Sequence, residues 1–313
     1  MTNSSIWDTR ARAWHPVCQQ KVAQDWGMET AKLRQELNEL DGAATKISVP
    51  FQAGELVFRR WAGPANSQTL LLVHGGSGSW LHWARNITSL QRSFNLVAVD
   101  LPGLGDSTAL PEGYSAQDAV DIFVSCTRSL MSGQRFHIVA FSWGCAVSAQ
   151  AAGQLEPQLR SLMLTGPASL GDIPRRGSMQ PLIKRTPDMS EHEIFSTNRE
   201  NLARLMIQDR SRIDDLAVLI QTMNTQKARF NSPQFARTTL VLDGVQNTSV
   251  PLKVVYGEFD APALPDVPGK EALFKTANAS CEFEVIDDAG HWLQYEKPEL
   301  FNNLVCEWIK RCA

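Results

Sequence analysis

The chain has 313 residues, enough to bury a full core, with 43% hydrophobic and 20% charged residues, an ordinary balance for a globular protein and far from a disordered one. A net charge of −3 supplies no basic surface to neutralise many phosphates, which argues against a nucleic-acid partner. No apolar run reaches the roughly 18 residues of a membrane span, and the first twenty residues lack the apolar core of a signal peptide.

The six cysteines (Cys18, Cys126, Cys145, Cys281, Cys306, Cys312) are scattered without a C-x-x-C pair, against a structural zinc site and against a dense disulfide framework. A cytoplasmic protein with free thiols is the expectation, and the sequons at Asn86, Asn247 and Asn278 then carry no sugar. No membrane partner is expected either.

Residues 1–45 read as an N-terminal helical extension. Val22, Trp26, Leu33, Leu37 and Leu40 recur at helical spacings, and Asp41-Gly42 ends the pattern with a residue able to turn past a helix end. A pair of early strands follows at 46–51 and 55–61, joined at Ala53-Gly54. Short apolar runs at 69–73, 95–101, 136–141, 159–165, 252–256 and 281–286 have the texture of central strands buried on both faces. Amphipathic stretches at 116–131, 143–155 and 297–311 alternate with them, which predicts a mostly parallel sheet covered by helices, a three-layer α/β/α fold. Residues 170–237 break the rhythm. They hold helical patterns at 191–208 and 212–227 and no strand, and read as a helical cap inserted into a core of 46–169 and 238–313.

The chemistry gathers at three loops. Ser142, in Val139-Ala140-Phe141-Ser142-Trp143-Gly144, sits where a strand turns into a helix, with small residues two positions to either side. Such a turn lifts a hydroxyl above the sheet, although the usual G-x-S-x-G pattern has alanine here at its first position. A serine hydroxyl needs a base, and the base needs an acid to orient it. Asp260 follows the strand 252–256, and His291 follows the next strand, both at the carboxyl edge where open α/β sheets bind ligands. Glu258 is the rival acid, with Asp243 and Asp287 weaker ones.

The glycine-rich run after the third strand (His74-Gly75-Gly76-Ser77-Gly78-Ser79-Trp80) exposes backbone N–H groups. An oxyanion needs such donors, and the expected pair is the N–H of Trp143 with that of Gly76. Gly75, Ser77, Trp80, Arg229 and Trp292 are the expected walls of the substrate pocket, and His74 is expected to brace the loop rather than act as a base. The Gly103-Leu104-Gly105 turn lacks the third glycine of a dinucleotide fingerprint. No histidine pair has a metal-ligand spacing, so neither metal nor cofactor is expected.

HGGSGSW (74–80), VAVDLPGLGDS (97–107), VAFSWG (139–144), YGEFDAP (256–262) and DAGHWLQYEKPE (288–299) together resemble the α/β-hydrolase superfamily, in particular its capped serine hydrolases. The resemblance implies an eight-stranded sheet with the active site under a lid. It implies Ser142 as nucleophile, His291 as base then acid, and Asp260 as the orienting acid. Serine at 142 argues against the branches that use aspartate there, the epoxide hydrolases and haloalkane dehalogenases. The expected substrate is a small molecule: an ester, thioester, lactone or amide of a small, partly apolar acid. Two alternatives stay open: a carbon–carbon bond hydrolase acting on a ring-cleavage-type diketone, with Arg229 on a substrate carboxylate, and a receptor or cofactor-free oxygenase or lyase on the same fold. Oligomeric state is not legible.

Overall fold

The computed structural model describes residues 16–52, 54–172 and 180–312. Residues 1–15 of the expected extension, Ala53 of the expected turn, the side chains of Val22 and Trp26, and 173–179 of the expected cap lie outside that set.

Helix α1 (Pro16–Gly42) leads into strands β1 (Thr45–Phe51), β2 (Gly54–Trp61) and β3 (Thr69–Val73), then a 3-10 turn (Trp80–Trp83), α2 (Ala84–Leu90) and β4 (Asn95–Asp100). There follow α3 (Ala116–Leu130), β5 (Phe136–Phe141), α4 (Trp143–Leu155) and β6 (Leu159–Thr165). Next come α5 (Glu191–Leu205), α6 (Asp215–Lys227), a 3-10 turn (Ser232–Phe235), α7 (Leu240–Gln246) and β7 (Leu252–Gly257). The chain closes with α8 (Lys270–Ala277), β8 (Glu282–Ile286), α9 (Leu293–Glu296) and α10 (Pro298–Arg311).

The strands form one eight-stranded sheet in the order β1-β2-β4-β3-β5-β6-β7-β8, antiparallel at β1–β2 and β2–β4 and parallel from β4 onward. Every residue of the central strand β5 is buried, and β1 at the edge is largely exposed. Alternate side chains of the strands feed two apolar clusters, so that Leu71 and Ile138 belong to one face and Leu72 and Val139 to the other. Helices α3, α4 and α7 cover the first face; α2, α10 and α6 cover the second. α1 lies against the second face as well, with Leu37 buried there and the Leu40 carbonyl accepting from Trp61 Nε1.

The segment between β6 and β7 carries α5 and α6. Ser190 caps α5 by accepting from the Glu193 N–H while Glu193 accepts from the Ser190 N–H, which satisfies two otherwise orphaned donors and fixes where the helix begins. Asp214 does the same work for α6 by accepting from the Ala217 N–H. Among the described residues, no helix is long and apolar enough to cross a membrane.

Candidate active site

The chain turns sharply at Ser142, between β5 and α4, where φ is 51° and ψ is −116°. A non-glycine residue in this region stores about 1–3 kcal/mol of strain. The surroundings hold it there: the Ser142 N–H donates to the Thr165 carbonyl at 2.9 Å and the Cys145 N–H to the Ser142 carbonyl at 2.9 Å. Gly144, two residues after Ser142, is sterically required to be glycine, since a Cβ there would stand 2.5 Å from the His74 carbonyl oxygen. Ala140 lies two residues earlier within fully buried β5, where a methyl is accommodated.

His291 reaches this serine from the loop after β8. Its Nε2 is 3.0 Å from Ser142 Oγ and its Nδ1 is 2.8 Å from Asp260 Oδ2. A carboxylate only accepts, so Nδ1 carries the donated proton and Nε2 is left to accept from the serine hydroxyl. Asp260 is fully buried and His291 nearly so. The loops that bear them are zipped together, the Glu258 N–H donating to the Ile286 carbonyl and the Phe259 N–H to the Ala289 carbonyl, each at 2.9 Å. Of the rival acids, Glu258 turns away and accepts from the Asp288 N–H at 3.1 Å. Asp243 is occupied by the Thr239 hydroxyl on α7, and Asp287 is exposed.

Sequence reasoning missed Gly166, the first residue after β6. It has φ +55°, and a Cβ there would stand 2.8 Å from Asp260 Oδ2 and 3.0 Å from His291 Nδ1. Its chain position directly beyond a strand end was the available signal.

The glycine-rich loop lies against the other side of the serine. A Cβ on Gly75 would meet Ser142 Cβ at 3.0 Å; one on Gly76 would meet Ser232 Oγ at 2.0 Å and Trp143 Cβ at 3.6 Å. Gly76 thus sits between the residue following Ser142 and the returning end of the segment from α6. Ser77 takes φ 49° as the loop doubles back. Two histidines brace it. His74 donates from Nδ1 to the Gly75 carbonyl at 2.7 Å while its Nε2 accepts from the Leu101 N–H at 2.9 Å, and His82 Nδ1 accepts from the Gly75 N–H at 3.3 Å. Burial lowers the pKa of both rings, and the neighbouring His74 and His291 rings lower that of His82 further. Trp143 faces an aromatic wall, with ring centroids 5.2 Å from both Phe230 and Phe235, and Tyr114 stacked on Phe230 at 4.7 Å.

Three expected pocket walls are used differently. Trp80 is buried against Trp61, with the Arg59 guanidinium 5.0 Å above its ring. Trp292 is fully buried, stacked on Tyr295 at 4.2 Å, and donates from Nε1 to the His82 carbonyl. Arg229 Nη2 donates to the Ser107 carbonyl at 2.7 Å and the Gly105 carbonyl at 3.4 Å, which fastens its segment to the loop after β4. That loop explains the Gly103–Gly105 pair. Gly105 has φ +53°, and a Cβ there would stand 2.4 Å from the buried Asp100 carboxylate, which accepts from Arg59 Nη1, the Trp80 N–H and the Asp106 N–H.

A cavity of about 200 Å³ opens beside His291, lined in part by Met206, Ile207, Gln208, Phe259, Leu264 and Gly290. Among the described residues, no group of three or more His, Cys, Asp or Glu side chains is placed to hold a metal ion.

The family model described as the alpha/beta hydrolase family matches residues 70–304. The chain is 26% identical over 265 residues to the dihydrolipoyllysine-residue acetyltransferase component of an acetoin cleaving system from Pseudomonas putida, covering 80% of this chain but only 66%, just under two-thirds, of that protein. It is 23% identical over 264 residues to a 2-hydroxy-6-oxononadienedioate/2-hydroxy-6-oxononatrienedioate hydrolase from Paraburkholderia phymatum, covering 78% of this chain and 88% of that one. Among solved structures, naproxen esterase from Bacillus subtilis superposes with a TM-score of 0.68 at 18% identity, covering 91% of this chain and 98% of the esterase.

Proposed function

Because the chain belongs to the alpha/beta hydrolase family, we propose that it is a serine hydrolase whose triad is Ser142, His291 and Asp260. We infer that it acts on an ester, thioester, lactone or amide of a small, partly apolar acid. The supporting observation is the unbroken chain of hydrogen bonds from Ser142 Oγ through both ring nitrogens of His291 to Asp260.

In this reading the Ser142 oxygen attacks the substrate carbonyl carbon as its proton passes to His291 Nε2. The carbonyl oxygen becomes an oxyanion held by the N–H groups of Trp143 and Gly76, a stabilisation whose loss costs about 2.7–4 kcal/mol per donor in comparable sites. Buried Asp260 stabilises the resulting imidazolium. His291 then protonates the leaving group, the carbonyl re-forms, and the acyl group is left on Ser142. Water, deprotonated by His291, repeats the attack and frees the acid.

The dienedioate hydrolase relative supports a second reading, cleavage of a carbon–carbon bond in a ring-cleavage-type diketone. The commitment of Arg229 to backbone carbonyls weighs against it, because the carboxylate of such a substrate then lacks the partner assigned to it. Steady-state assays of the purified protein with short p-nitrophenyl esters, acyl thioesters and dienone acids separate the readings. Turnover of esters or thioesters that disappears in Ser142→Ala supports the first, and turnover confined to dienone acids supports the second. Thermal stabilisation by these compounds with no product from any of them would overturn both in favour of a binding protein.

A further inference from the structure

Glu296 is a fully buried carboxylate at the end of α9, five residues beyond His291, and among the described residues its side chain forms no ion pair, Arg212 reaching only its backbone carbonyl. Three backbone N–H groups satisfy it instead. Gly290 donates to Oε2 at 2.8 Å, Gln208 to Oε2 at 3.3 Å and Asp209 to Oε1 at 2.8 Å. The first donor is the residue directly before His291, and the other two belong to the turn after α5. The same two segments are joined a second time, by the Trp292 N–H donating to the Met206 carbonyl at 2.7 Å. Their fit leaves no spare room: a Cβ on Gly290 would stand 2.7 Å from the Gln208 nitrogen and 3.0 Å from the Met206 carbonyl oxygen.

We propose that Glu296 is a positioning residue that couples the segment bearing α5 to the histidine of the site, its buried carboxylate holding the Gln208–Asp209 turn and the Gly290–His291 loop in one fixed arrangement. The proposal rests on the serine-hydrolase reading. A backbone N–H left without its acceptor in a buried place costs about 1–3 kcal/mol, so the three donors converge on this carboxylate rather than drift apart. Gln208, Met206, Gly290 and His291 also line the cavity beside the site. A substrate filling that cavity therefore presses on both parts that Glu296 ties together. Movement of the α5 turn is transmitted to His291 through the Gly290 backbone.

Glu296→Gln keeps the shape and removes one acceptor; Glu296→Ala removes all. Glu156→Gln is the control, a carboxylate that likewise accepts from a backbone N–H, that of Ser249, but lies away from the site. The measurements are kcat and KM on the best ester, the pH profile of kcat/KM, and the proton NMR signal of His291 Nδ1–H, assigned by its loss in Asp260→Asn. In folded Glu296→Gln we expect kcat to fall roughly 10- to 100-fold with little change in KM, the cost typical of a misplaced catalytic group. The Nδ1 proton signal should move or broaden and the acid limb of the pH profile should shift, while Glu156→Gln leaves all three in place. Should Glu296→Ala fail to fold, Glu296→Gln decides. An unchanged signal and kcat in Glu296→Gln, or an equal change in Glu156→Gln, overturns the proposal. A wild-type protein that turns over no ester, thioester, lactone or amide overturns the serine-hydrolase reading instead, and the proton signal still decides the coupling.

Discussion

A methyl group on Gly166 would lie 2.8 Å from Oδ2 of Asp260, closer than a carbon atom rests beside an oxygen, and 3.0 Å from Nδ1 of His291. The backbone after β6 is thus the floor on which the Asp260–His291 pair is set, and only glycine, at φ +55°, makes that floor flat enough.

Gly166→Ala should therefore damage the site more than the fold. The added methyl pushes on both Asp260 and His291, and displacements of this size cost on the order of 100-fold in rate. A left-handed backbone also opposes alanine, by about 1–2 kcal/mol. Measured kcat for ester turnover, set beside a urea melt, should show a loss of activity well beyond the loss of stability.

Arg229→Leu tests whether that guanidinium meets substrate or scaffold. Its bonds to the Gly105 and Ser107 carbonyls make it a fastener, and removing it should lower the melting temperature slightly. KM for a substrate bearing a free carboxylate should change no more than KM for a neutral one. A selective rise for the carboxylate would return Arg229 to the pocket.

Asp100→Ala should be among the most destabilising single changes. Arg59 is nearly buried and its pKa is raised, burial opposing the charge while Asp100, Asp41 and Asp106 more than offset it. Removing Asp100 takes away the one fully buried partner of Arg59, leaving it Asp41 and Asp106, and orphans the Trp80 and Asp106 N–H groups, at about 1–3 kcal/mol for each buried donor left unpaired. Urea denaturation at neutral pH reads the difference.

Stability should also fall on mild acidification. Burial, with a smaller contribution from Arg160, lowers the His137 pKa from 6.5 to about 4, and His74 and His82 are lowered for the same first reason. The unfolded chain then binds more protons than the folded one between those values, so stability is complete above pH 6.5 and is lost as pH falls toward 4. His137→Asn, which can keep the hydrogen bond to Ser161, should flatten part of the slope of melting temperature against pH.

The strands were legible because a parallel sheet buried on both faces leaves uninterrupted apolar runs, and each expected strand lies within one residue of the observed one. Ser142, Asp260 and His291 were legible as residue types at successive strand ends, and the structure brings them within hydrogen-bonding distance. The helices α2, α7, α8 and α9 were not, being only 4 to 8 residues long and held by tertiary packing rather than by their own periodicity. Gly166 and Glu296 escaped for a different reason. Their contributions, an absent side chain and a carboxylate shared among three backbone amides, depend on which segments meet in space. The partners of Trp80, Trp292 and Arg229 were not legible either, because they depend on which segments meet in space.

Intact-mass analysis after exposure to a fluorophosphonate tests the central claim most directly. One adduct is predicted, mapped to Ser142 by peptide sequencing, formed in the wild type and absent from folded Ser142→Ala. An adduct that persists in Ser142→Ala, or one that maps to another residue, would contradict the assignment of Ser142 as the nucleophile.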